Sequence, residues 1–180
     1  PMTTPLEQMV PGYDVLQRLM DVYLSADIGE EASVLMIGAG SAVLKTQLSP
    51  RHPQWQVTTA ENAGEFQGLA ETQPFQAATL MLVLQRVPDT GEKLQVLCDV
   101  SDRLAPGAPL FLSTYVGDPT ATRTKKLFDL TKSWAISNGM PETDATQQLS
   151  STNPDLHLVP EERLKALLRE AGFIDVQRVY

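Results

Sequence analysis

The residues best suited to chemistry are Gly38-Ala39-Gly40-Ser41, placed directly after the apolar run Ser33-Val34-Leu35-Met36-Ile37 and before a helical pattern that reaches Leu48 and stops at Pro50. Glycines let the backbone pass close to a ligand, and a helix start offers N–H groups that no helical carbonyl has claimed. About twenty residues on, Glu61 closes a second short strand read over Trp55 to Thr59. A carboxylate there can accept hydrogen bonds from both hydroxyls of a ribose. Alone, the glycines suit any tight strand-to-helix turn, and Glu61 alone is an ordinary loop acid. Together, at the carboxyl ends of neighbouring strands of an open α/β sheet, they read as a nucleotide site, because one ligand needs both.

Other chemistry is less well supplied. His52, His157 and Cys98 have no metal-ligand spacing, so no metal is expected. There is no Gly-x-Ser-x-Gly elbow, no Cys–His pair and no phosphate-binding lysine motif. Cys98 falls among apolar helix positions and reads as a buried structural thiol. Glu142, Asp144 and Asp118 read as loop carboxylates, so no catalytic base is named.

Short apolar runs that alternate with amphipathic stretches must position these residues, the pattern of a mostly parallel sheet covered by helices. A first helix is expected over Asp14 to Ser25, with Leu16, Leu19, Met20 and Tyr23 on its stripe and Val15 and Val22 widening it. After Glu61 come a weak helix over Gly64 to Ala70, a central buried strand over Ala77 to Leu84, and a helix between Thr90 and Leu104 that carries Leu94, Leu97 and Cys98. Ala105-Pro106-Gly107 then breaks the chain before a strand over Leu110 to Tyr115. A helix over Thr120 to Ser137 places Leu127, Leu130, Thr131 and Trp134 on one face and is capped by Asn138-Gly139. The last helix opens at Pro160, buries Leu164, Leu167, Leu168 and Ala171, and ends at Gly172. Alternation from Phe173 to Val179 then predicts a fifth strand.

The 180 residues suit one domain, 1–180, with 118–158 as an inserted helical cap over the site. A formal charge of −8 and a pI near 4.7 oppose nucleic-acid binding, which needs clustered cations; Arg123, Lys125, Lys126 and Lys132 read as one solvated helix face. No apolar run is long enough to cross a bilayer, and residues 1–5 lack the pattern of a signal peptide, so a cytoplasmic protein without membrane contact is expected.

On these residues a family resemblance can be stated. Val34-Leu35-Met36-Ile37-Gly38-Ala39-Gly40 resembles the first motif of the class I S-adenosylmethionine-dependent methyltransferases, Ala105-Pro106-Gly107-Ala108-Pro109-Leu110 their turn into a later strand, and Glu170-Ala171-Gly172-Phe173 their closing helix. Within that superfamily, Val10-Pro11-Gly12-Tyr13, Leu84-Gln85 and Ser137-Asn138-Gly139 look most like the carboxy-S-adenosylmethionine synthase branch. The resemblance implies a three-layer Rossmann-like fold with S-adenosylmethionine as cofactor. It would lie over Gly38, Ala39, Gly40 and Ser41, its ribose at Glu61 and its methionine end near Met81 and Leu82, with Tyr13 and Trp134 on the substrate side.

The chain departs from that pattern at Met36, where the family carries an acid, at Ala42, and at Met81. Ile136 and Met140 flank Asn138-Gly139, where the synthase branch would have basic and aromatic side chains. Only thirteen residues, Asn62 to Pro74, separate Glu61 from Phe75, room for one crossover but not for an extra edge strand. A sheet shortened there and at the C-terminus would expose an edge to a second copy or a partner protein. Two functions remain: methyl transfer to a small-molecule acceptor, or a catalytically inactive methyltransferase-like module for binding or assembly.

Overall fold

The structure is a computed structural model that describes residues 5–70 and 74–179. Four strands form one sheet: β1 (Ser33–Ile37), β2 (Gln56–Ala60), β3 (Ala77–Met81) and β4 (Leu110–Ser113). Every pairing is parallel, in the order β2-β1-β3-β4. Parallel neighbours require crossovers, supplied by α3 (Ser41–Leu48), α4 (Ala63–Gln67) and α5 (Glu92–Asp102). Two helices, α1 (Pro5–Met9) and α2 (Tyr13–Asp27), precede the sheet, and α6 (Thr122–Ser137), α7 (Glu142–Gln148) and α8 (Glu161–Glu170) follow it. The chain runs from β1 outward to β2 and then returns to the far side of β1 for β3. The switch in direction therefore lies between the ends of β1 and β3.

Strand alternation divides the core in two. Leu35 and Ile37 of β1 with Ala78 and Leu80 of β3 face α5 and α8, where they meet Val96, Leu97, Leu164 and Leu167. Val34 and Met36 with Ala77 and Met81 face α2 and α3, against Tyr13, Leu16, Met20, Leu44 and Leu48. Helices thus cover both faces, as expected of a three-layer α/β fold.

Several expectations need correction. The stretch 173–179 is not a strand, so the sheet has four strands and no antiparallel member among the described residues. Phe173 N–H donates to the Leu168 carbonyl at 3.0 Å, and Arg178 pairs with Glu161 at 3.1 Å, which holds the stretch against α8. Asp175, at φ 52, interrupts the extended run. The strand read over Ala77 to Leu84 stops at Met81, followed by a 3₁₀ turn at Leu84–Arg86. On α2 the buried stripe is Tyr13, Leu16, Met20 and Leu24, while Val15, Val22 and Tyr23 are exposed. On α6, Thr124, Phe128 and Ala135 are buried, and Leu127, Leu130 and Trp134 face outward. Cys98 is half-buried against the α5–α8 core rather than enclosed. The helices α1 and α7 were not anticipated.

The open edge is real on the β4 side. Ala78 and Leu82 donate to the carbonyls of Pro109 and Ser113, so the odd-numbered residues of β4 bond to β3, and Leu110 and Leu112 turn their main-chain groups away. Beyond them runs a groove of about 1060 Å³, walled by Leu16, Tyr23 and Leu24 of α2 and Leu164 and Leu168 of α8.

Candidate functional site

The crevice at the ends of β1 and β3 is built by backbone constraint. Gly38 has φ 133, and a Cβ there would fall 2.1 Å from the Met81 carbonyl oxygen at the end of β3. Only glycine lets the two strand ends approach so closely. Gly38 N–H then donates to Ala60 of β2 at 2.8 Å, and its carbonyl accepts Ser41 N–H at 3.0 Å, which turns the chain into α3. Gly40, at φ 82, is the left-handed residue that opens the helix.

Glu61 is fixed from both sides. Asn62 caps α4 by accepting Glu65 N–H at 3.0 Å, and the Glu65 carboxylate accepts Glu61 N–H at 2.9 Å. The Glu61 carboxylate therefore points back across the glycine turn. Its Oε2 accepts Gly40 N–H at 2.8 Å, and its Oε1 accepts Ser41 Oγ–H at 3.0 Å and Ala42 N–H at 3.1 Å. Burial raises the pKa of this carboxyl, but the Gly40 and Ala42 N–H groups and the Ser41 hydroxyl outweigh it and hold the group below its usual range. The ion sits at the positive end of α3, where the unclaimed N–H groups point.

Across from the turn, β3 ends at Met81, whose side chain is buried in the α2–α3 core, and the chain continues into Leu82. Leu82 has φ 55, rare for a side chain of this size, and two bonds hold it there: its N–H to Ser113 and its carbonyl from Gln85 Nε2, both at 2.8 Å. Buried Gln85 also accepts the Thr114 hydroxyl at 2.9 Å, which ties the ends of β3 and β4 together. Tyr13 is 3% exposed in the α2 core beside Met81, and its hydroxyl feels Glu7 and Glu61. Burial raises its pKa, against the lowering by its bond from Gln17, and Glu7 and Glu61 raise it further. At neutral pH it is a hydrogen-bond donor, not a base.

The structure thus brings Gly38, Ala39, Gly40, Ser41 and Glu61 together at the end of β1, with the Met81 carbonyl against Gly38, while the Tyr13 and Met81 side chains pack in the core beside them and Leu82 lines the β4 groove. Trp134 is not among them. It is 41% exposed on α6, with its indole nitrogen 3.5 Å from the Glu7 carbonyl of α1. Met36 is fully buried under α2 and α3, in the core rather than the crevice. Asn138-Gly139 ends α6, the Asn138 side chain donating to Trp134 O at 2.9 Å.

Sequence reasoning missed Leu6, which α1 lays against Gly40. It also missed Lys93, 1% exposed, which donates to the carbonyls of Val87 and His157. Its stripe, shared with Val96 and Val100, was the available signal. Burial lowers the pKa of that ammonium, and Asp89 partly restores it. Tyr115, whose buried hydroxyl has no hydrogen-bond partner, is pushed up to about 12, chiefly by burial. No group of acidic, histidine and cysteine side chains able to hold a metal ion occurs among the described residues. Among those residues no helix is long and apolar enough to cross a membrane.

No protein-family model matches the chain, and no curated protein resembles it in sequence. Solved structures do resemble it in fold. An O-methyltransferase family protein from Burkholderia thailandensis is 18% identical over 93% of this chain and 55% of that one, with a TM-score of 0.53. CalO1, a methyltransferase in calicheamicin biosynthesis determined in its SAH-bound form, is 13% identical over 94% of this chain and 48% of its own, with a TM-score of 0.51. PKMT2 from Rickettsia typhi is 14% identical over 95% and 43%, with a TM-score of 0.56. The chain therefore has the α/β fold of these three proteins, two of them described as methyltransferases, and it spans about half the length of each.

Proposed function

We propose that the chain binds S-adenosylmethionine in the crevice between β1 and β3 and transfers its methyl group to a small-molecule acceptor. The observation that carries this reading is the Glu61 carboxylate, fixed across the Gly38–Ser41 turn where a parallel sheet of this order binds ligands. The donor set suits the nucleoside half of the group. A carboxylate offers about four lone pairs, the loop uses three, and a ribose diol needs two. At least one loop bond must therefore be exchanged for the ligand. Gly38, Ala39 and Gly40 supply main chain without bulk, and the methionine end of the group is assigned to the neighbouring strand end at Met81 and Leu82.

When bound, the cofactor supplies an electrophilic methyl on a sulfonium; the chain's part is placement. Holding the acceptor in line with that methyl can account for much of the rate without a strong base. Protonated Tyr13, packed beside Met81, is the donor assigned to orient an acceptor oxygen, and the insertion 118–158 is assigned as the cap. The solved SAH-bound CalO1 supports this choice of cofactor. Small acceptors suit the acidic surface better than nucleic acid does.

A second reading, an inactive binding or assembly module, is favoured by buried Met36, which leaves no acid on β1, and by the open β4 edge. That edge would pair with a second copy or a partner protein.

Calorimetric titration with S-adenosylmethionine and S-adenosylhomocysteine tests the first reading, with Glu61→Ala as the control. Micromolar binding, about −8 kcal/mol, weakened at least tenfold in the variant, is the expected result. No heat at millimolar ligand would leave the assembly module as the better reading.

A further inference from the structure

We infer that α1 is a plug, latched by the helical insertion, that must leave the Gly40 turn before a ligand can occupy the crevice. The inference rests on the ligand reading of that crevice and adds its regulation. Leu6 Cδ1 lies 3.2 Å from the position a Gly40 Cβ would take, so the leucine occupies the space over the turn. Leu6 also packs onto the α2–α3 core. One helical turn on, Met9 packs against Ala135 of α6 and Ala145 and Leu149 beyond it, and Trp134 approaches the Glu7 carbonyl.

The turn is satisfied from below as well. Glu61 uses both oxygens on Gly40, Ser41 and Ala42, so the donors that would greet a ligand already have a partner. The resting crevice is closed by apolar contact above and internal hydrogen bonds beneath.

A helix of five residues has no independent stability, so α1 depends on tertiary contacts such as these to hold its place. Weakening them raises the fraction of molecules with an accessible crevice, and apparent affinity rises by the same factor. Trimming one half-buried leucine is expected to tighten binding about tenfold, or about 1.4 kcal/mol.

The test titrates the full chain, its Leu6→Ala variant and its Met9→Ala variant with S-adenosylhomocysteine, and follows exchange of the Val10 amide, which donates to Leu6 O. Tighter binding in both variants, with faster Val10 exchange at saturating ligand, supports a displaced plug. Binding by the variants but not by the parent chain supports it more strongly. Equal or weaker binding in the variants, or a Val10 amide that ligand protects, overturns it and makes α1 a lid that closes on the ligand. If neither parent nor variants bind, the cofactor reading fails and the plug has nothing to guard. Unchanged thermal midpoints separate either variant effect from misfolding.

Discussion

Replacing Gly38 with alanine separates what the sheet needs from what a ligand would need. A Cβ at this position would lie 2.1 Å from the Met81 carbonyl oxygen and 2.9 Å from its carbon. Both are backbone atoms of the adjacent strand end, so no side-chain rotation relieves the clash. The φ of 133° adds strain of roughly 1–3 kcal/mol. Parting the packed ends of β1 and β3 adds about 1–3 kcal/mol more. We expect a total near 4 kcal/mol, which for a chain of this size lowers the melting temperature by about 8–16 °C.

Gly40→Ala is the internal control. Its Cβ would meet only the tip of the Leu6 side chain at 3.2 Å, and the left-handed conformation costs roughly 1–2 kcal/mol. Urea unfolding followed by circular dichroism measures both. A Gly38→Ala chain within about 1 kcal/mol of the parent would refute the packing argument. If the large cost is found, lost ligand binding in that variant says nothing about ligand contact, and Glu61 becomes the informative position.

Other outcomes follow from buried polar groups. Thr79 is fully buried on β3 with no partner for its hydroxyl, so Thr79→Val should be neutral or stabilising by up to about 1 kcal/mol in thermal unfolding. Lys93→Met keeps the aliphatic stem but deprives the Val87 and His157 carbonyls of their donor; a loss of about 1–3 kcal/mol in urea unfolding is expected. The Glu61 carboxyl titrates lower in the folded chain than in the unfolded one, so its contribution to stability is complete above about pH 4.3 and is lost as pH falls through its depressed folded value. Glu61→Gln should flatten the acid limb of stability against pH, and an unchanged limb would show that the loop bonds do not hold in solution.

Elements defined by local chemistry were readable in the sequence, and those defined by distant neighbours were not. The apolar run Ser33–Ile37 is buried on both faces and forms β1 over those residues. Pro160 and the acids after it mark the start of α8, Glu161–Glu170. By contrast, the apolar arc of α6 is wider than the surface that covers it, and periodicity cannot say which half is covered. Phe128 meets Tyr115 at 5.5 Å, while Leu127 and Leu130 meet no core. The alternation in 173–179 describes a strand that would need a neighbour; β4 is not paired with it, and Arg178 and Phe173 bind α8 instead. At the crevice, the position of Glu61 was legible from its place after the second strand. Its capture by Gly40, Ser41 and Ala42 was not, because that depends on the Asn62–Glu65 cap that aims it.

Mapping amide shifts of the labelled chain during titration with S-adenosylhomocysteine tests the proposed cofactor site most directly, because a groove of about 1060 Å³ along β4, lined by Leu82 but not by Gly38, Gly40, Ser41 or Glu61, offers a different place to bind. Saturable shifts at Gly38, Gly40, Ser41 and Glu61, weakened for the 2′-deoxy analogue that lacks half the diol, are expected. Shifts confined to 110–116 and 173–179, or an analogue that binds equally well, would contradict the assignment of Glu61 and its glycine turn as the nucleoside site.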